Sequence, residues 1–309
     1  MTKKWFFYAS TIALSVCIAF YACNKDEDDP DPIEPDLDDP SLIAEDNLIA
    51  YFPFEGDGKC AISGITPSNA TSPVTFPEGR RGKAFQGTAA ANSGLLYALP
   101  TGHKLRDLNA FTFAVWVKTA PNTVATGEAP EQMVFQLDGR DGDIWGNFAF
   151  LQKRNLPEQT NPDFRDFGQM QTFFFKEDAA DWHGQFVGDW WLDVTSTQWR
   201  HIICAYDNVT SKFSAYVNGV HVTRHDGTPY AAADRTQGED GPPFGALKFK
   251  GAANFAIGAW AEKLMGKALL EDDWAASYRG QMDELRIYDK ALTAAEAKEL
   301  YDKEVLKIN

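Results

Sequence analysis

The chain has 309 residues and a formal net charge of −15, and 44% of its residues are hydrophobic and 13% aromatic. This length suffices for one large all-β domain, or two smaller domains, with a full hydrophobic core. The negative charge argues against nucleic acids and anionic membrane surfaces as partners, because both attract basic patches.

The first 22 residues have the pattern of a secretion signal. Lys3 and Lys4 precede an uncharged apolar run from Trp5 to Ala22, as in a signal peptide. The run leads into Phe20-Tyr-Ala-Cys23, which resembles a bacterial lipobox, the motif whose cysteine becomes the lipidated first residue of the mature protein. We therefore expect residues 1–22 to be a lipoprotein signal peptide and Cys23 to be the lipidation site. The alternative is an uncleaved anchor, since about 18 apolar residues can span a bilayer.

Residues 23–46 have the composition of a linker. From residue 24 on they hold eleven acids against Lys25, a net −10, together with four prolines. Like charges repel and prolines favour extended backbone, so the segment predicts a stalk. A lysine followed by acids just behind the lipid cysteine resembles the surface-export signal of lipoproteins in one group of Gram-negative gut anaerobes. The predicted location is the outer membrane, lipid-anchored and facing the cell exterior.

Residues 47–309 alternate short apolar runs with turn residues, which is typical of strands. The run Phe111–Val117 has one fully apolar face and one mixed face, as in a sandwich strand. Further predicted strands are Leu48–Phe54, Met133–Leu137, Asn147–Leu151, Gln171–Lys176, Trp199–Tyr206, Phe213–Val217, Asn254–Gly258 and Gln281–Tyr288.

Two local motifs complete the predicted elements. Asn218-Gly219 lies between alternating runs and predicts a type I′ hairpin turn, which needs positive φ at both positions. Thr293 and Glu296 form a capping box, and good helix formers follow through Glu304. Many strands and one short C-terminal helix predict an all-β, two-sheet antiparallel sandwich.

The domain keeps two cysteines, Cys60 and Cys204, because Cys17 would leave with the signal peptide. An exported protein permits a disulfide between them. Two buried free thiols are the favoured alternative, and the sequence does not give the distance between the two residues.

Several of these segments together resemble a laminin-G-like domain of the concanavalin A-like lectin/glucanase superfamily. They occur in that family's order and cover roughly residues 47–306. The resemblance implies a jelly roll of two antiparallel sheets that binds glycans or proteins. Residues 152–198 and 223–253 are longer than the usual connections, and long loops often carry binding function. The matching segments are Leu48–Gly56, Gly79–Phe85, Phe111–Lys118, Trp199–Asp207, Tyr216–Gly219, Phe255–Trp260, Tyr278–Tyr288 and Ala291–Glu296.

The sequence does not contain the carboxylate pair of the family's glycosidases. Those enzymes place two or three carboxylates on one face of a strand. Asp283 and Glu284 are adjacent and are therefore expected on opposite faces. The acidic run of residues 271–273 lacks strand signals, and the five histidines lack metal-ligand spacing. We therefore expect no catalytic residues and no enzyme activity.

A calcium site is implied by the resemblance. Family members often hold a structural calcium between the end of the first strand and a Gly-x-x-Asp-Glu strand, and the matching positions are Asp57 and Asp283. Lys59-Cys60 stands where the family usually has an acidic cluster. The run from Asp138 to Asp143 resembles part of a calcium loop but lacks the later glutamate, so a turn is expected there.

Aromatic residues give the carbohydrate-binding hypothesis. Trp182, Trp190 and Trp191 fall in the long connection beside several polar residues. Sugars present apolar C–H faces and hydroxyl edges, so a stacking ring with flanking carboxylates suits them. The alternative is that the connection uses these rings for a small hydrophobic cluster of its own. The candidate binding residues are Trp182, Trp190, Trp191, Asp189, Asp193 and Trp145.

The favoured function is a non-catalytic cell-surface lipoprotein that captures a polysaccharide or oligosaccharide for an uptake system. The partners would be the glycan, the membrane through the lipid anchor, and other surface proteins. One alternative is a protein–protein adhesion or scaffolding module, which the same fold also serves. A second alternative is a divergent glycoside hydrolase or lyase.

Overall fold

Fourteen strands of the described residues form two sheets of seven strands in the computed structural model. The strands are β1 (Leu48–Phe52), β2 (Phe85–Gln86), β3 (Leu95–Ala98), β4 (Phe111–Lys118), β5 (Glu131–Leu137), β6 (Phe148–Gln152), β7 (Phe167–Asp178), β8 (Asp181–Asp193), β9 (Arg200–Asp207), β10 (Lys212–Val217), β11 (Val220–His221), β12 (Asn254–Ile257), β13 (Ala275–Ser277) and β14 (Gln281–Tyr288). The first sheet has the order β1-β14-β4-β9-β10-β11, with β2 beside β14. The second has the order β3-β12-β5-β6-β7-β8, with β13 beside β5. Pairing is antiparallel except between β13 and β5, so the predicted all-β sandwich is confirmed.

The structure describes most of the domain and the last eight residues of the predicted linker. Two short 3-10 helices, Pro40–Leu42 and Glu45–Asn47, precede β1, and Ile43 is buried in a cluster with Leu300. The end of the predicted linker therefore packs with the domain. The signal peptide, Cys23 and most of the linker, residues 1–38, lie outside the described residues. Within the described part of the chain, no helix is long and apolar enough to cross a membrane. The described residues are 39–69, 72–90, 93–120, 130–139, 144–153, 167–178, 181–193, 198–222, 236–237, 241–267 and 274–306. Between residues 167 and 193, the side chains are described only for residues 170–176.

The core lies between the two sheets and is rich in phenylalanine. The predicted inward face of β4 packs there, since Phe111 and Phe113 are fully buried. The ring of Phe111 lies 4.5 Å from that of Phe148, and the ring of Phe113 lies 4.7 Å from that of Phe150. These contacts join β4 of the first sheet to β6 of the second. Alternating apolar residues on facing strands therefore hold the sandwich together.

Both local motifs predicted from the sequence are confirmed. Asn218 and Gly219 have φ values of 51° and 73° and join β10 to β11, as a type I′ turn requires. Helix α2 (Ala294–Leu306) begins with the capping box: the Thr293 hydroxyl accepts from the Glu296 N–H, and the Glu296 carboxylate accepts from the Thr293 N–H. A second helix, α1 (Ala261–Leu264), has only four residues and was not predicted.

Residues 152–198, predicted to hold long loops around one strand at residues 171–176, instead hold a long β-hairpin that includes this strand. Strands β7 and β8 occupy most of the segment and pair along nearly their whole length, from Phe167 opposite Asp193 to Asp178 opposite Asp181. Glycines and acids interrupt the apolar alternation in this segment, so the sequence pattern indicated only residues 171–176 as a strand. β6 pairs with β7 only from Met170 to Phe174, and it is the pairing of β7 with β8 that extends the two strands beyond that apolar stretch.

The two remaining cysteines are free thiols. Cys60 and Cys204 are both fully buried. Burial raises the pKa of the Cys204 thiol well above its ordinary value. The alternative without a disulfide is therefore confirmed, and both residues act as small apolar groups in the core.

Helix α2 covers the outer face of the first sheet. Ala297 and Leu300 pack with Ala114 of β4 and Tyr288 of β14 in a cluster separate from the main core. The capping box fixes where this helix begins, and so which of its residues face the sheet.

We expect Thr293→Ala to lower the free energy of unfolding by about 1 kcal/mol, because the Glu296 N–H loses its acceptor. The measurement is urea denaturation followed by circular dichroism. Lys298→Ala is the matched control, since it removes only an exposed ion pair with Asp302 and should cost less than about 0.5 kcal/mol. Equal losses in the two variants would contradict the role of the cap.

Candidate functional site

The outer face of the second sheet carries a cluster of aromatic rings. Along β6, Phe148 and Phe150 enter the main core, whereas Ala149 and Leu151 point the other way. Phe173 of β7 joins that outer group. The face is covered by chain connections rather than by a long helix, and three tryptophans lie on it. We call Trp145, Trp260 and Trp274 the tryptophan cluster.

The three rings of the tryptophan cluster contact one another. Trp260 is fully buried and meets Trp145 at 5.5 Å and 64° and Trp274 at 5.3 Å and 83°, both edge to face. Trp145 and Trp274 are half-buried, with their centroids 6.0 Å apart and their planes 33° apart. Trp260 therefore forms a floor that supports two partly exposed rings of similar orientation.

Polar side chains near the cluster mainly bind the protein's own backbone. The Gln136 amide donates to the Ile144 carbonyl at 2.7 Å and accepts from the Ala261 N–H at 2.8 Å. The Lys263 ammonium donates to the Ala275 carbonyl. These bonds fix the connections that present the rings. The buried Nε1–H of Trp260 has no hydrogen-bond partner among the residues described.

The predicted binding residues fall in two places. Trp145 lies in the tryptophan cluster. Trp182, Trp190 and Trp191 lie on β8, where they pair with Glu177, Met170 and Gln169 of β7. Asp189 and Asp193 are on the same strand, and the side chains of all five lie outside the described residues.

Sequence reasoning missed the role of Trp260 and Trp274. Trp260 ends the segment Phe255–Trp260, which carries part of the family resemblance, but the sequence pattern did not indicate that its ring would support other rings. Trp274 precedes a three-residue strand, β13, which is too short to give a periodic signal.

A second cluster of functional groups lies beneath α2 on the first sheet. The Arg286 guanidinium binds the Glu284 carboxylate at 2.7 Å and also pairs with Glu304 of the helix. Glu304 in addition accepts from the indole N–H of Trp116. The three charged residues are no more than 4% exposed. Burial raises the pKa of Glu304, whereas Arg286 opposes that shift.

The prediction that Asp283 and Glu284 point to opposite faces is wrong. The pairing of β14 with β4 is irregular between Asp283 and Arg286, and Glu284 has a φ of 53°. This bulge turns both carboxylates toward Arg81: Asp283 accepts from its N–H at 2.9 Å, and Glu284 lies 3.5 Å from its guanidinium. Asp283, Glu284 and Arg286 therefore share one face.

The carboxylates of this face are closed off by the protein. Glu284 also accepts from the Tyr51 hydroxyl at 2.8 Å, and burial raises the pKa of Asp283 to about 8. A glycosidase needs two carboxyls that reach the same sugar. Here α2 and the side chains of Arg286 and Trp116 occupy the space in front of Glu284 and Glu304, so the arrangement fits a role in holding the helix.

The two expected calcium ligands have different surroundings. Asp57 is exposed and accepts from the Lys59 N–H at 2.9 Å. Asp283 is fully buried. Asp138, in the run that resembles a calcium loop, binds the N–H groups of Ala253 and Asn254. It therefore anchors β12 to the end of β5.

A polar hollow of about 400 Å³ lies elsewhere on the surface, lined by His103, Lys104, Arg106 and Asp289, among others. Lys104 pairs with Asp289 at 3.1 Å, and Arg106 donates to the Leu99 carbonyl at 3.2 Å. Its lining contains no Trp, Tyr or Phe ring. The tryptophan cluster is therefore the better site for a ligand with apolar faces.

Comparison with known proteins agrees on the fold. No protein-family model and no curated protein matches the chain. The chain is similar to the binding domain of botulinum neurotoxin serotype G (TM-score 0.51, 14% identity, 82% of this chain and 50% of that one). It is also similar to a type C botulinum neurotoxin structure, described as interacting with two ganglioside molecules (TM-score 0.53, 9% identity, 85% and 53%). The chain thus spans about half the length of these toxin chains.

Domain 4 of AbnA, an extracellular arabinanase from Geobacillus stearothermophilus solved with arabinotriose, is matched at a TM-score of 0.48 and 22% identity. That match covers 82% of this chain and 98% of the arabinanase domain. At these levels of identity the toxin comparisons show a shared β-sandwich fold and nothing finer.

His201 gives a pH-dependent test of the cluster beneath α2. It is fully buried and stacks on Trp116 at 4.9 Å. Burial, with Arg286 and Arg80 nearby, lowers its pKa to about 3. The folded state therefore keeps the ring neutral at pH values where the unfolded chain protonates it. Its contribution to stability is complete above about pH 6.5 and falls on acidification toward pH 3.

Below pH 6.5, we expect the free energy of unfolding of the wild type to fall by about 1.4 kcal/mol per pH unit more than that of His201→Gln. The glutamine side chain takes up no proton in this pH range. Chemical denaturation between pH 4 and pH 7.5 measures the difference. Parallel stability profiles for the two proteins would show that His201 titrates alike in the folded and unfolded states.

Proposed function

We propose that this chain is a non-catalytic binding module that takes a carbohydrate on the outer face of its second sheet. The observation that carries the proposal is the tryptophan cluster, in which Trp145 and Trp274 are half-buried and held 6.0 Å apart on the buried ring of Trp260. Two supported rings offer an apolar surface of the kind that stacks on the C–H face of a sugar.

The cluster is arranged before any ligand binds. Edge-to-face contacts with Trp260 and a 6.0 Å contact between Trp145 and Phe173 restrict the exposed rings. Gln136 fixes the connections on both sides through its two backbone bonds. Rings that are already ordered lose little conformational freedom on binding, which favours affinity.

Ring contacts would supply most of the binding energy. The described polar groups beside the rings, Gln136 and Lys263, already bind backbone atoms. A ligand would therefore gain few hydrogen bonds from these two groups. Strand β8, with Trp182, Trp190 and Trp191, adjoins the strand of Phe173, and we propose that it extends the same binding face.

The proposed setting is the outer face of the outer membrane. The lipobox-like Cys23 and the acidic, proline-spaced segment of residues 24–38 support an anchored domain carried on a stalk. A lipid-anchored glycan-binding module would hold polysaccharide at the cell surface for uptake. The proposal of a non-catalytic module is supported by the buried carboxylate beneath α2, because Arg286 and Trp116 both bind it.

We expect Trp145→Ala and Trp274→Ala each to weaken binding at least about tenfold, because truncation of a central tryptophan typically costs 2 kcal/mol or more. The purified chain is first screened against a broad panel of neutral and acidic glycans, and isothermal titration calorimetry then measures the ligand found. Trp145→Phe should retain part of the affinity.

Val220→Ala is the control, because this side chain is exposed on the first sheet, away from the cluster. It should bind as the wild type does. A ligand that binds equally to all variants would place the site elsewhere, and failure to bind any glycan on the panel would contradict the proposal.

A further inference from the structure

The position where the resemblance implies calcium is filled by a turn of this chain. A calcium ion takes six to eight oxygen ligands from carboxylates, carbonyls and water. Residues 79–83, which we call the Arg-Arg turn, lie between the end of β1 and Asp283. The Glu55 carboxylate accepts from the Lys83 N–H at 3.0 Å, and Asp283 accepts from the N–H groups of Arg80 and Arg81 at 2.9 Å.

The Asp283 carboxylate is fully engaged by backbone donors. One oxygen accepts from Arg80 and Arg81, and the other accepts from the Glu284 N–H at 2.8 Å. The turn approaches so closely that a Cβ on Gly79 would lie 2.6 Å from the Asp283 carboxylate. A cation at this carboxylate would have to displace the turn.

Positive charge at this place comes from the protein itself. The Arg81 guanidinium lies 3.5 Å from the Glu284 carboxylate. The Lys83 ammonium is close to Gly56, where an added Cβ would lie 3.3 Å from it. The Arg80 guanidinium lies 4.6 Å from the centre of the Trp116 ring. The Arg-Arg turn therefore carries three cationic side chains, and their charge opposes the entry of a divalent cation.

The remaining expected ligand does not complete a site. Asp57 is exposed and bonded to the Lys59 N–H. In the part of the chain that the structure describes, no group of three or more His, Cys, Asp or Glu residues could hold a metal ion. The residues present do not fit the calcium site that the resemblance implies.

We infer that the Arg-Arg turn replaces the divalent cation, and that the domain is stable without calcium. Backbone N–H groups supply the positive ends that a cation would otherwise offer to Asp283. Arg81 pairs with Glu284, and Arg286 pairs with both Glu284 and Glu304 of α2. The turn thus links β1, β14 and the helix with groups of the chain alone.

The test is thermal unfolding of the purified full chain in about 10 mM CaCl2 and in excess EDTA. We expect the two Tm values to agree within about 1 °C. A site with a Kd near 0.1 mM would raise Tm by roughly 5–10 °C under these conditions, and such a shift would overturn the inference. This readout is independent of whether the protein binds a sugar.

Two aspartate variants test whether any effect of calcium on Tm comes from Asp283 or Asp57. Asp283→Asn should lower Tm by several degrees, equally in calcium and in EDTA, because it weakens the acceptor for three N–H groups. Asp57→Asn is the matched control and should leave Tm unchanged in both. A calcium-dependent difference that either variant removes would assign the ion to these residues.

Equilibrium dialysis of the wild type with radioactive calcium keeps the inference testable if Asp283→Asn does not fold. We expect no bound calcium at millimolar concentration. One ion bound per chain, and lost in Asp57→Asn, would overturn the inference.

Discussion

A buried guanidinium determines much of this architecture. Arg286 is 1% exposed, and an unpaired charge at that depth would destabilise the fold by several kcal/mol. The positive charge of Arg286 is paired with two carboxylates, that of Glu284 on the same strand and that of Glu304 on α2. The helix is therefore tied to the sheet at its C-terminal end by ion pairing, while Ala297 and Leu300 pack nearer its start. This closes the outer face of the first sheet.

The two outer faces of the sandwich consequently differ in chemistry. Beneath α2, Glu284, Glu304, Arg286 and Trp116 bind one another and are withdrawn from solvent, and the neutral ring of His201 stacks on Trp116. On the second sheet, short connections leave Trp145 and Trp274 half-buried over Trp260. The charged groups beneath α2 thus bind one another, whereas two aromatic rings on the other face stay partly exposed. The proposed carbohydrate site therefore rests on the accessibility of the rings rather than on residue type.

A single bulge in β14 links several of these features. The positive φ of Glu284 brings Asp283, Glu284 and Arg286 to one face of the strand. Without the bulge, strict alternation would send Glu284 into the core. Asp283 then meets the Arg-Arg turn, and Glu284 meets Arg81, Tyr51 and Arg286. One extra residue in a strand therefore supplies contacts for the turn, for β1 and, through Arg286, for the helix.

The sequence by itself determined the fold class, the inward face of β4, the Asn218-Gly219 turn and the start of α2. Each of these features depends on residues that are close in the chain: an alternation of apolar and polar residues, two residues with positive φ, or a capping residue three positions before its glutamate. Only the tertiary structure decided the β7–β8 hairpin, the shared face of Asp283 and Glu284, and the meeting of Trp145, Trp260 and Trp274. These depend on strand pairing, a bulge, and contacts between residues more than 100 positions apart. The alternation pattern does not encode where a strand pairs or where a bulge falls, and the contacts among the tryptophans arise only when distant connections pack on the second sheet.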